Sequence, residues 1–132
     1  MMDMSTITED YVSFEMAKLL KEKGFDEPCC GSYSYRGGNV VVRASKLSNT
    51  DLCYHPDISG ISAPTLQMAM RWLRKVHNAF ISIIYENDGV FVANLKVPLK
   101  GIDCLIDYKH NCWFTYEEAA EAAIEYCLKI LI

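Results

Sequence analysis

The chain has 132 residues, of which 51% are apolar and 23% charged, with a formal net charge of −4. This length fits one domain able to bury about two-thirds of the surface its unfolded chain exposes, so stability requires neither disulfides nor a metal. The composition excludes the disordered class, and the mild acidity argues against a dedicated nucleic-acid binder, whose footprint is basic.

The first thirteen residues, MMDMSTITEDYVS, have no basic region, apolar core or small-residue cleavage site, so they do not read as a signal peptide. No apolar run reaches the roughly 20 residues that a membrane span needs. The expected compartment is the cytoplasm, where six cysteines stay reduced. Residues 1–12 read as a polar, flexible lead-in to a single domain covering 1–132.

The first helix is predicted over residues 13–25. Ser13 caps it, Met16, Leu19 and Leu20 form its apolar stripe, and Gly24 takes the left-handed position beyond its end. Two short strands follow, SYSYR and VVVRA, around a hairpin turn at Gly37, Gly38 and Asn39. Residues 46–61 read as a loop with a brief strand near Leu52 and Tyr54. A second helix is expected over 62–78, capped by Ser62, with Pro64 in its first turn. Its apolar stripe is Leu66, Ala69, Met70, Leu73, Val76 and His77. Residues 79–97 form two β-rich runs around Asn87, Asp88 and Gly89, a hairpin signal. In the second run Phe91, Ala93, Leu95 and Val97 share one face, with Asn94 and Lys96 on the other. Pro98 and Gly101 mark a break before a further strand in 102–114. The last helix, 115–132, opens on a capping box of Thr115 and Glu118. The order α-β-β-α-β-β-β-α predicts an α+β, two-layer domain: a mainly antiparallel sheet of four to five strands with three helices.

Four residues have the ligand count of a structural zinc site: Cys53 and His55, then His110 and Cys112. On a strand, residues two apart share a face, so each pair can present two ligands. The competing reading is chance spacing in a chain with six cysteines and three histidines. The adjacent pair Cys29 and Cys30 diverges too far to chelate one ion and reads as the partly buried start of a strand. No glycine-framed nucleophile turn, phosphate loop or helix-N-terminal cysteine is present, so no catalytic residue and no cofactor are assigned. Arg71, Arg74 and Lys75 form a basic helix face suited to phosphate or an acidic partner, against the commoner reading of a solvated face. Tyr33, Tyr35, Tyr54 and Trp113 are aromatic candidates for an interface, against the reading that they are core.

The second half has the element order of double-stranded RNA-binding domains. Its last helix, however, starts Tyr116-Glu117-Glu118, where that family meets phosphates with lysines, so that function is set aside. The stretch ISIIYENDGVFVANLKVPLKGIDC followed by TYEEAAEAAIEYCL resembles the HicB-type antitoxins over residues 79–131. This resemblance implies a small protein that neutralises another protein. Three longer stretches, TEDYVSFEMAKLLKEKGFDEPC, ISAPTLQMAMRWLRKVHNAFISI and TYEEAAEAAIEYCL, resemble a group of small uncharacterised Bacteroides-type phage or mobile-element proteins. That resemblance covers nearly the whole chain and brings no activity or site residues with it. Taken together, these features predict a small non-enzymatic accessory module that binds a protein partner or itself, as a homodimer. Nucleic-acid binding through the basic helix face is the alternative.

Overall fold

Val12, within the expected lead-in, is already buried in the core, and Ser13 caps the first helix as the sequence predicts. In the computed structural model, which describes residues 10–54, 60–106 and 113–132, its hydroxyl accepts the Met16 amide at 3.2 Å. Helix α1 (Phe14–Glu22) follows. At its far end the Phe25 amide reaches the Leu20 carbonyl at 2.9 Å and the Gly24 amide reaches Lys21 at 3.1 Å. This paired closure needs the left-handed backbone that Gly24 adopts at φ +98°. It turns Phe25 into the core, where it is fully buried.

Strands β1 (Cys29–Ser34) and β2 (Gly37–Leu47) pair antiparallel. Their turn lies two residues earlier than predicted, at Tyr35 and Arg36, because Ser34 pairs with Gly37 and its hydroxyl donates to the Gly37 carbonyl at 3.0 Å. β2 runs well past the expected VVVRA, and its register with β1 slips twice. The expected loop at 46–61 contains a helix instead, α2 (Asn49–Tyr54). Ser48 and Asp51 cap it reciprocally: each side chain accepts the other's amide, at 2.9 and 3.1 Å.

Strand β3 (Ile61–Ser62) then returns to the free side of β1, giving a first sheet of order β2-β1-β3. Gly60 lets this segment lie on the Tyr33 carbonyl, where any Cβ would overlap it. Ser62, expected as a helix cap, is spent in this strand. Its amide binds Asn49 Oδ1 at 2.9 Å and its hydroxyl donates to the Leu47 carbonyl at 3.2 Å. The cap of α3 (Leu66–His77) passes to Thr65, whose hydroxyl accepts the Met68 amide at 3.2 Å. α3 buries Leu66, Ala69, Met70, Trp72 and Leu73. Val76, expected on the buried stripe, is exposed.

Strands β4 (Phe80–Tyr85), β5 (Phe91–Val97) and β6 (Ile102–Leu105) form a second antiparallel sheet in that order. Asn87, Asp88 and Gly89 make the β4–β5 turn as predicted, with Asp88 and Gly89 both left-handed. A turn at Pro98–Lys100 and a left-handed Gly101 connect β5 to β6. Helix α4 (Tyr116–Tyr126) continues into a wider π turn, Cys127–Leu131. The Glu118 amide donates to the Thr115 hydroxyl at 3.1 Å, and that hydroxyl donates to the Glu118 carboxylate at 2.9 Å.

The α+β class and the antiparallel pairing hold, but the arrangement differs from one sheet of four to five strands with three helices. The chain builds two three-stranded antiparallel sheets and, among the described residues, four α-helices. The physical reason is that β3 closes the first sheet onto β1, and α3 then carries the chain away before β4 begins. Both sheets share one apolar cluster that includes Met16, Leu20, Tyr33, Leu73, Leu95 and Ile124. No helix among the described residues is long and apolar enough to cross a membrane.

Candidate functional site

β4 has the sequence FISIIY, with neither charge nor proline. It pairs with β5 over six consecutive residues without a slip, from Phe80 opposite Lys96 to Tyr85 opposite Phe91. It is the terminal strand of its sheet, so its other backbone edge has no strand partner among the described residues. Natural sheets commonly guard such an edge with lysine, proline, a bulge or a covering loop, because its free amides and carbonyls otherwise recruit another strand. β4 carries no lysine, proline or bulge.

The two faces of this second sheet differ sharply. Ile81 and Ile83 lie opposite Leu95 and Ala93 on the inner face, which α4 covers. Phe80, Ser82 and Ile84 alternate with them on the outer face, next to Lys96, Asn94 and Val92 of β5. Leu105 and Asp103 of β6 continue that outer face. Phe80 is 40% exposed, Ile84 42% and Leu105 37%. Among them Lys96 pairs with Asp103 at 3.7 Å, and Asn94 donates to the same carboxylate at 3.2 Å. Tyr85, exposed at the end of β4, stands edge-on to Phe91 with centroids 5.3 Å apart. The outcome is a strand edge without lysine, proline or bulge, unpartnered among the described residues, beside an apolar, partly polar sheet face.

The basic helix face is also real. Arg71, Arg74 and Lys75 are exposed on α3, and none forms an ion pair with a described carboxylate. Arg71 and Lys75 border a groove of about 290 Å³ floored by Pro28, Met68, Trp72 and Val76, with Glu27 also in its wall. Arg74 stands outside that groove.

Of the four zinc candidates, His55, His110 and Cys112 lie outside the described residues. Cys53 is exposed near the end of α2, where it lines a shallow hollow with Lys21, Asp26, Thr50 and Tyr54. Among the described residues no group of three or more His, Cys, Asp or Glu side chains is arranged to hold a metal.

The aromatic candidates separate. Tyr33 is buried and donates its hydroxyl to the Val12 carbonyl at 2.6 Å, so it serves the core rather than an interface. Tyr35 is exposed, with the Lys21 ammonium 5.2 Å from its ring centre. Tyr54 is 82% exposed. Trp113 is half-buried and exchanges backbone hydrogen bonds with Phe91 at 2.7 and 2.9 Å, extending the sheet on the β6 side. The residues that sequence reasoning passed over are Phe80, Ile84 and Tyr85. Their signal was the run of β-formers without a charged residue.

The buried thiols offer no nucleophile. Burial pushes both Cys29 and Cys127 up to about 12, so neither is a thiolate near neutral pH. Cys29 begins β1 as expected and donates to the Glu27 carbonyl at 3.3 Å. Cys127 lines a small cavity with His77 and Lys100. The His77 imidazole is held below its ordinary value, first by burial and then by Lys100.

The chain matches no protein-family model, no curated protein and no solved structure.

Proposed function

We propose that the chain is a small, non-enzymatic interaction module of phage or mobile-element type that acts in the cytoplasm by binding polypeptide at the β4 edge. The observation that carries this reading is the uncharged, proline-free strand FISIIY, terminal in its sheet among the described residues, beside the exposed side chains of Phe80, Ile84 and Leu105. Strand addition to such an edge supplies affinity through main-chain hydrogen bonds and specificity through alternate side chains. The β4-β5-β6-α4 order fits the HicB-type resemblance, in which the bound polypeptide is a protein that the module neutralises. The test is affinity capture from the native host with the wild-type chain and with Ile84→Lys, identification by mass spectrometry, and reconstitution with the purified protein. A partner, or an added copy of the chain itself, that binds wild type and is lost with Ile84→Lys supports the reading. An identical captured set for both proteins overturns it.

The second reading is a nucleic-acid-binding accessory protein, favoured by three exposed cations on α3 with no described carboxylate paired to them. Phosphate contact through Arg71, Arg74 and Lys75 must weaken steeply with salt. Gel shifts across a salt series decide it, and the absence of a shift at low salt removes it.

A further inference from the structure

We propose that the occupant of the β4 edge is the β4 strand of a second copy, paired antiparallel about a two-fold axis. This inference rests on the reading that the edge binds polypeptide, and it names the partner. The joined sheet would have six strands in the order β6-β5-β4-β4-β5-β6, with the α4 helices of both copies on one side.

Register follows from geometry. A two-fold axis perpendicular to the sheet keeps each copy's outer face on the same side, so facing residues must belong to the same face. The axis therefore passes through a residue rather than between two. With Ser82 at the axis, Ser82 meets its own copy, Ile81 meets Ile83, and Phe80 meets Ile84. Each unlike pair occurs twice. Every facing pair within the strand is then apolar with apolar or serine with serine, the pairings that stabilise a sheet. With Ile83 at the axis, Phe80 would face Glu86 and Ser82 would face Ile84, which sets apolar groups against polar ones.

Charge selects the same arrangement. Arg74 and Lys75 lie in the last turn of α3, at the start of β4. Glu86 and Asp88 lie just past its end. All four are exposed, and none is in an ion pair among the described residues. Antiparallel pairing brings the basic end of one copy beside the acidic end of the other, twice over. Parallel pairing would set like charges together. Within β4 there is no charge to repel its own copy.

The seam is about 20 Å long for six residues. Such a narrow seam sits at or below the low end of specific interfaces, about 1,200 Å² in total, which suits a reversible dimer rather than an obligate one.

Sedimentation velocity on the full chain under reducing conditions, from about 1 to about 100 µM, tests this, because a dissociation constant in the micromolar range spans both species there. The wild type is expected to pass from monomer to dimer. Ile84→Lys, at an exposed outer-face position, is expected to stay monomeric with an unchanged circular dichroism spectrum. The double variants R74E/K75E and E86K/D88K, at exposed positions, are each expected to weaken the dimer about tenfold, and the quadruple variant to recover most of that loss. A wild type that stays monomeric throughout overturns the dimer, as does a dimer indifferent to Ile84→Lys and to both charge reversals. Either failure is distinct from failure of the polypeptide-binding reading, which the capture experiment with Ile84→Lys decides separately.

Discussion

Asn49 holds three segments of the first half together, and removing its amide should be costly. Its Nδ2 donates to the Phe25 carbonyl at 2.7 Å, and its Oδ1 accepts the Ser62 amide at 2.9 Å. The side chain is 6% exposed. It joins the end of α1, the start of α2 and strand β3. Asn49→Ala deletes two hydrogen bonds and strands one buried carbonyl and one buried amide. Each of the two orphaned buried groups costs about 1–3 kcal/mol, so a total loss of about 2–6 kcal/mol is expected. At this chain length that lowers Tm by about 7–20 °C. Thr50→Ala is the control. It removes a 2.5 Å bond to the Asp26 carboxylate at an exposed site, where the loss should stay below about 1 kcal/mol. Thermal and urea unfolding of the three proteins measure both values. If Asn49→Ala unfolds within about 0.5 kcal/mol of wild type, the tether is not what orders β3 against α1.

His77 predicts a pH dependence. Its folded-state pKa is held below the ordinary value, so the unfolded chain takes up a proton first as pH falls, and stability should drop as pH goes down through about 6.5. His77→Gln should flatten that slope in urea titrations between pH 5 and pH 8, and an unchanged slope would contradict it. Thiol labelling of the native protein near pH 8, read by peptide mass spectrometry, should modify exposed Cys53 and Cys104 quickly. Buried Cys29 and Cys127 should react only on unfolding. Rapid native labelling of Cys127 would mean that the π turn opens readily.

Local chemistry was the most legible part of the sequence. Ser13, Gly24, Thr115 and the Asn87-Asp88-Gly89 turn act where the residues predicted, because a cap or tight turn depends on a few neighbouring atoms. The α2 helix was legible in principle, since Ser48 and Asp51 have capping-box spacing, but the surrounding polar residues hid it. Trp72, which the predicted stripe omits, is buried, and Val76, which it includes, is exposed, for a tertiary reason. Phe25, arriving from the end of α1, stacks edge-on against Trp72 at 5.4 Å and widens the buried face of α3 on that side. The last turn of α3 lies beyond that cover, so Val76 reaches solvent. Sheet composition was not legible, because a hairpin signal names two adjacent strands and is silent on which strand ends a sheet. The candidate site depends on that information. The alternation in β5 was evident from the sequence, whereas the exposure of β4 follows only from its terminal position.

The most direct test of the account is hydrogen exchange at the β4 backbone, followed by mass spectrometry at low and high protein concentration. The amides of Phe80–Tyr85 that do not bond to β5 should exchange quickly in dilute protein and slow markedly in concentrated protein, while those of β2 stay unchanged. Concentration-independent exchange along β4, in a chain that associates elsewhere or not at all, would contradict the claim that this edge is built to receive a strand of its own kind.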